Sequence, residues 1–169
     1  MDKICILFAG VVGCSKTPIS NFLSTRFNLP VLNNDAIRTE VLEDFYLFNQ
    51  DEYTKRRNER IQYIIENNIS FIYDASVDRE WKMAEELFGK YGYKFFIISI
   101  NLSRDFIIKL YKTKNYTESI EKLDQLILEH NVFLNNYKED VGLNIFDDNF
   151  NNRLQLSFEA IKNWIDKNI

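Results

Sequence analysis

The sequence predicts an α/β fold: a three-layer α/β/α sandwich in which helices cover both faces of a five-stranded parallel sheet. Three features of the 169-residue chain predict it. Continuous apolar runs recur that are too short for helices and rich in strand formers. Between them lie longer segments with apolar residues at helical spacing. The two kinds alternate, as they do where parallel strands are joined by helical crossovers and buried on both faces.

The first strand is KICILFA, residues 3–9. A helix is expected over 16–27, where Ile19, Phe22, Leu23 and Phe27 recur on one side and Pro18 falls harmlessly in the first turn. A short strand, Leu29 to Leu32, leads into Asn33, Asn34 and Asp35, followed by helical patterns from about Ala36 to Phe45 and Asp51 to Asn67. The run SFIYDAS reads as a third strand reaching Asp74, and Glu80 to Tyr91 as an amphipathic helix stopped by Gly92. A fourth strand covers 93–100. Ser103 is placed to cap a helix to Lys114, and Thr117 a longer one to Tyr137. LNIF at 143–146 supplies the fifth strand, and Asn149 opens a last helix ending near Lys167.

The length suits a single domain over 1–169 able to bury about two thirds of its unfolded surface. With 46% hydrophobic and 27% charged residues, and no Pro/Gly/Ser-rich tract, the composition is globular throughout. A net charge of -4 argues against a broad nucleic-acid-binding surface. The lysine-then-apolar amino terminus ends in glycines rather than a cleavage site, so it reads as a buried strand and not as a leader. No apolar run reaches the roughly 18–20 residues of a membrane span. A cytoplasmic protein without membrane partners is expected. Cys5 and Cys14 suggest neither a disulfide nor a metal cluster, which fits a reducing compartment.

In a parallel sheet, ligands bind at the carboxyl ends of the strands, and the residues with chemical promise lie there. Gly10 follows the first strand, Asp35 the second and Asp74 closes the third. The fourth leads through Asn101 to a helix bearing Lys109, Lys112 and Lys114. The segment Gly10, Val11, Val12, Gly13, Cys14, Ser15, Lys16, Thr17 matches the phosphate-binding template G-x-x-x-x-G-K-S/T except that Ser15 replaces the second glycine. The physics asks for inward-pointing backbone amides at a helix amino terminus, a lysine reaching the β and γ oxygens, and a hydroxyl on magnesium. Two of the chain's five glycines fall within this loop. Ser15 reaches positive φ less cheaply than glycine, and its side chain is expected to crowd the phosphates.

Asp35 and Arg38 share one helix face, where a carboxylate accepts a proton from an acceptor hydroxyl and an arginine clamps an anion. The bland reading is an N-cap aspartate with a surface arginine. Asp74 at a strand end needs a partner such as hydrated magnesium or the Thr17 hydroxyl; otherwise it is a turn cap. Lys109 and Lys112 suit a lid near 104–116, or a solvated face. Arg56, Arg57 and Arg60 line either an exposed face or an acceptor groove. His130 reads as structural, and Cys14 as a small filler.

At GVVGCSKTPIS, LPVLNNDAIRTEV and FIYDAS the chain resembles small P-loop kinases of the AAA-like ATPase/kinase group, similar to the polynucleotide 5'-kinase domain and to zeta-toxin and adenylate-kinase-like enzymes. The likeness is specific over 1–45 and looser to about 114. It implies a P-loop NTPase fold and ATP-dependent phosphorylation. It further implies Lys16 and Thr17 as phosphate and Mg2+ residues, Asp35 as general base, Arg38 on the acceptor and Asp74 near the nucleotide. Lys109 and Lys112 stand where the group carries an arginine-rich lid. The expected ligands are ATP, Mg2+ and an acceptor hydroxyl on a nucleotide, a nucleic-acid end or a small metabolite. The competing reading is a nucleotide-binding module or switch without transfer. A single-strand-binding domain sits poorly with the acidic balance.

Overall fold

The structure, a computed structural model, describes residues 3–169 apart from the side chains of Thr117 and Glu118. Its strands are β1 (Lys3–Ala9), β2 (Val31–Asn33), β3 (Phe71–Ser76), β4 (Tyr93–Ile100) and β5 (Val141–Ile145). The helices are α1 (Lys16–Phe27), α2 (Asn34–Phe45), α3 (Gln50–Glu66), α4 (Trp81–Gly89), α5 (Arg104–Lys114), α6 (Thr117–Ile120), α7 (Leu123–Tyr137) and α8 (Arg153–Asn168). The strands form one sheet in the order β2-β3-β1-β4-β5, and every neighbouring pair is parallel.

Strand alternation explains the three layers. Ile6 and Phe8 of β1, Ile72 of β3, and Phe96, Ile98 and Ile100 of β4 share a core with Ile19 and Leu23 of α1, Ile107 and Tyr111 of α5, and Ile161 of α8. The intervening residues Cys5, Leu7, Phe71, Tyr73 and Ile97 face the other way, against Ile37 of α2, Ile61 of α3, Phe88 of α4 and Phe133 of α7. Each central strand therefore reads as a continuous apolar run because both of its faces are covered.

The element order is as the sequence predicts, with displaced boundaries. β2 begins at Val31 rather than Leu29. The helix expected from Thr117 is two pieces, α6 and α7, and the capping role assigned to Thr117 falls on a side chain outside the described ones. β5 starts at Val141, two residues early. A 3-10 turn over Phe150–Asn152 precedes α8. Ser103 caps α5 as expected, accepting from the Phe106 amide. Among the described residues, no helix is long and apolar enough to cross a membrane.

Candidate functional site

The Gly10–Thr17 loop runs from the end of β1 into α1. Gly10 has φ 138, and a Cβ there would stand 2.9 Å from the Ile100 carbonyl oxygen; Gly13 has φ 73, and a Cβ would meet the Tyr111 ring at 2.9 Å. Glycine is thus required by both conformation and space. Ser15 also lies in the left-handed region, at φ 89 and ψ 26, which costs a non-glycine residue about 1–2 kcal/mol. Its buried hydroxyl does not point into the loop's hollow unpartnered; it accepts from Arg153 Nε at 2.9 Å.

Lys16 closes the loop on itself. Its Nζ donates to the Gly10 and Val11 carbonyls at 2.9 and 2.6 Å and lies 3.6 Å from Cys14 Sγ. Cys14 is wholly buried, and burial pushes its thiol up, in keeping with a filler. From α5, the Tyr111 hydroxyl donates to the Val12 carbonyl at 2.7 Å and Lys114 Nζ to the Gly13 carbonyl at 2.8 Å. Burial pushes the Tyr111 phenol up to about 12. The lysine of α5 that touches the loop is therefore Lys114. Lys109 and Lys112 are exposed on the same helix, and among the described residues their side chains make no hydrogen bond or ion pair with the loop.

Asp74 shares the parity of Ile72, so its side chain emerges on the α1 face of β3. It is 8% exposed. Asn33, its register partner on β2, donates from Nδ2 to Oδ2 at 2.9 Å, and the Thr17 hydroxyl lies near enough to favour the charged carboxylate. Burial pushes its carboxyl above the ordinary value, with the nearby Asp35 carboxylate adding to the rise; Thr17, Lys16 and Asn33 oppose it. Because the folded chain holds this proton more tightly than the unfolded one, the stabilising contribution is full below the ordinary value of 3.8 and is lost as pH rises through the raised folded value. The unfolding temperature of the protein measured against Asp74→Asn is expected to fall as pH rises above 3.8 and through the raised folded value. A pH-independent difference would contradict the assignment.

Asp35 does not cap its helix. Asn33 does, accepting from the Ala36 amide. The exposed Asp35 carboxylate has no hydrogen-bond or ion-pair partner among the described residues, yet it lies within electrostatic range of Asp74. One turn on, the Arg38 guanidinium rests 4.3 Å from the Phe48 ring centre and 5.7 Å from that of Tyr53. Arg56 and Arg60 are spent on carboxylates, pairing with Asp44 and Glu52 and with Glu40. Arg57 differs: Nη2 donates to the Tyr73 hydroxyl at 2.8 Å, Glu80 stands 3.9 Å away, and its buried Nε has no partner. Asn34 also donates to the Tyr73 hydroxyl, leaving its own Oδ1 buried and unpartnered.

Two residues at the site carry no sequence signal of function. Asp78, in the turn after β3, accepts from the Gly10 amide at 3.1 and 3.2 Å through its two oxygens. It also bonds His130 Nδ1 at 3.0 Å, while His130 Nε2 lies 3.4 Å from Ser99 Oγ. His130, the lone histidine, thus stands behind Asp78, the acceptor for the first amide of the loop. Asp74, expected to close the third strand, lies two residues short of the end of β3 at Ser76, and a rule that looks at strand ends reaches Asp78 only when extended into the following turn.

No protein-family model and no curated protein matches the chain. Solved structures do. A chain of the PezAT toxin-antitoxin system of Streptococcus pneumoniae superimposes with a TM-score of 0.60 at 16% identity, over 82% of this chain and 63% of that one. The APS kinase CysC of Mycobacterium tuberculosis, solved with AMPPNP and APS, gives 0.60 at 12% identity over 95% and 98%. Deoxyadenosine kinase of M. mycoides, solved with dCMP and dCDP, gives 0.57 at 14% over 97% and 100%. The fold is that of the P-loop kinases. Lys16 and Thr17 of the loop and Asp35 of α2 all lie within electrostatic reach of Asp74 on β3.

Proposed function

We propose that the chain is an ATP-dependent phosphotransferase, moving the γ-phosphoryl of ATP to an acceptor hydroxyl. The observation that carries this reading is Asp74: a buried carboxylate held by Asn33 at 2.9 Å, with the Thr17 hydroxyl, Lys16 and Asp35 all close enough to act on its charge. In this reading the amides of Gly10, Val11, Val12, Gly13, Cys14 and Ser15 hold the polyphosphate, and Lys16 turns from the Gly10 and Val11 carbonyls to the β and γ oxygens. Magnesium fits the donor set of Thr17 and Asp74. Both offer oxygen, and a carboxylate compensated by neutral donors suits a hard cation. When bound, the ion neutralises charge on the polyphosphate. Asp35, free of capping duty, takes the acceptor's proton as the acceptor oxygen bonds to the γ-phosphorus and the bond from that phosphorus to the β–γ bridging oxygen breaks, releasing ADP. The segment 104–116 acts as a lid bringing Lys109, Lys112 and Lys114 toward the transferring group.

Arg38 and Arg57 hold an anionic group of the acceptor. Arg38 lacks a carboxylate among the described residues, and Arg57 keeps an unused buried donor. Arg57→Ala is expected to raise the acceptor's KM by about tenfold, in line with loss of one charged hydrogen bond, and to leave the KM for ATP unchanged. A matching rise in both constants would count against this assignment.

The deciding experiment incubates a panel of phosphorylated and unphosphorylated nucleotide, oligonucleotide-end and metabolite acceptors with γ-labelled ATP, using Lys16→Ala as control. Label transfer to one acceptor class supports the reading. Tight ATP retention with no labelled product identifies a nucleotide-binding switch instead.

A further inference from the structure

The template's second glycine is replaced by Ser15, and the backbone nevertheless takes the left-handed turn at φ 89. A serine there lacks the freedom that glycine has to adopt this conformation. Its hydroxyl can also rotate into the loop's hollow. The structure meets both difficulties with one side chain from the far end of the sequence, because Arg153 Nε donates to Ser15 Oγ at 2.9 Å.

Arg153 is a braced residue. It begins α8, Nη1 donates to the Phe150 carbonyl at 3.1 Å, and the guanidinium sits 4.2 Å from the centre of the Phe150 ring. Phe150 is itself buried and packs edge-on against Phe106 of α5 at 4.9 Å. The strut is therefore anchored in the core shared by α5 and α8. A hydrogen bond from so fixed a donor selects one serine rotamer and holds the hydroxyl toward α8.

We infer that Arg153 is a positioning residue for the nucleotide loop, holding through the Ser15 hydroxyl the turn that glycine would adopt unaided. The inference rests on the loop reading above and makes a claim of its own: Arg153 matters because residue 15 is a serine. The two substitutions must then interact, as contacting residues do in a double-mutant cycle.

The experiment compares the wild type, Arg153→Ala, Ser15→Gly and the double variant in Mg·ATP affinity by titration calorimetry and in unfolding temperature without nucleotide. Arg153→Ala is expected to weaken Mg·ATP binding about tenfold in the wild-type background and at most about twofold in the Ser15→Gly background. Without nucleotide, the loss in unfolding temperature caused by Arg153→Ala is expected to be larger in the serine background. Arg153→Lys, which keeps a donor and loses the planar fork, falls between. Equal effects of Arg153→Ala in both backgrounds, on affinity or on unfolding, overturn the inference. If all four proteins fail to bind Mg·ATP, the loop reading fails, and the unfolding cycle alone still decides whether Arg153 acts through Ser15.

Discussion

Lys16→Ala is expected to lower acceptor-dependent ATP consumption by about 10²–10³-fold, the scale on which removal of one preorganised charge-stabilising donor acts. The ammonium is already in the loop, bonded to the Gly10 and Val11 carbonyls. Moving it to a phosphate therefore requires a small rotation, with little new ordering of the side chain. Alanine removes both the charge and the two self-bonds, so a modest stability loss of about 1 kcal/mol accompanies the kinetic one. Lys16→Arg is not expected to rescue, since a planar fork does not replace a compact point charge held between the Gly10 and Val11 carbonyls. Steady-state turnover together with the thermal shift on adding Mg·ATP separates the effects, and full turnover in Lys16→Ala would remove the loop from the chemistry.

Asp35→Asn is expected to lower turnover by about 10²–10⁴-fold, the range for loss of a general base, with Mg·ATP affinity retained. The variant is nearly isosteric, and because Asn33 caps α2, no structural bond is lost. The remaining cost is the favourable interaction of a carboxylate with the helix amino terminus, about 0.3–1 kcal/mol. A second signature follows from electrostatics. Asp35 is one of the groups pushing the Asp74 carboxyl up, so its neutralisation moves the Asp74 titration to lower pH. Unchanged turnover in Asp35→Asn, measured with the acceptor found in the panel, would show that the base lies elsewhere.

Much of the fold is legible in the sequence because it depends on short-range patterns. The apolar runs at 3–9 and 93–100 are strands bounded where the pattern predicts. Errors fall where pattern is thin: β2 is three residues long and β5 five, and both are edge strands half-covered by neighbours. The loop is legible for the same local reason, since glycine spacing and a following lysine are contiguous. The partners of Ser15 and Gly10 are not. Arg153 stands 138 positions from Ser15 and Asp78 stands 68 from Gly10, and no local spacing links such pairs. Arg56, Arg57 and Arg60 look alike along the chain. Only the fold pairs two of them with carboxylates and turns Arg57 to Tyr73.

The sequence by itself determined which segments are strands, which are helices, and that a glycine loop with Lys16 and Thr17 joins the first of each. Those properties follow from side-chain periodicity and backbone freedom over a few residues. Tertiary structure alone decided which charges meet. It set Asp74 against Thr17 by strand parity, turned Arg57 to Tyr73, and brought Arg153 to the serine in the loop. Those outcomes depend on the parallel strand order β2-β3-β1-β4-β5, which brings the carboxyl ends of strands distant in sequence side by side.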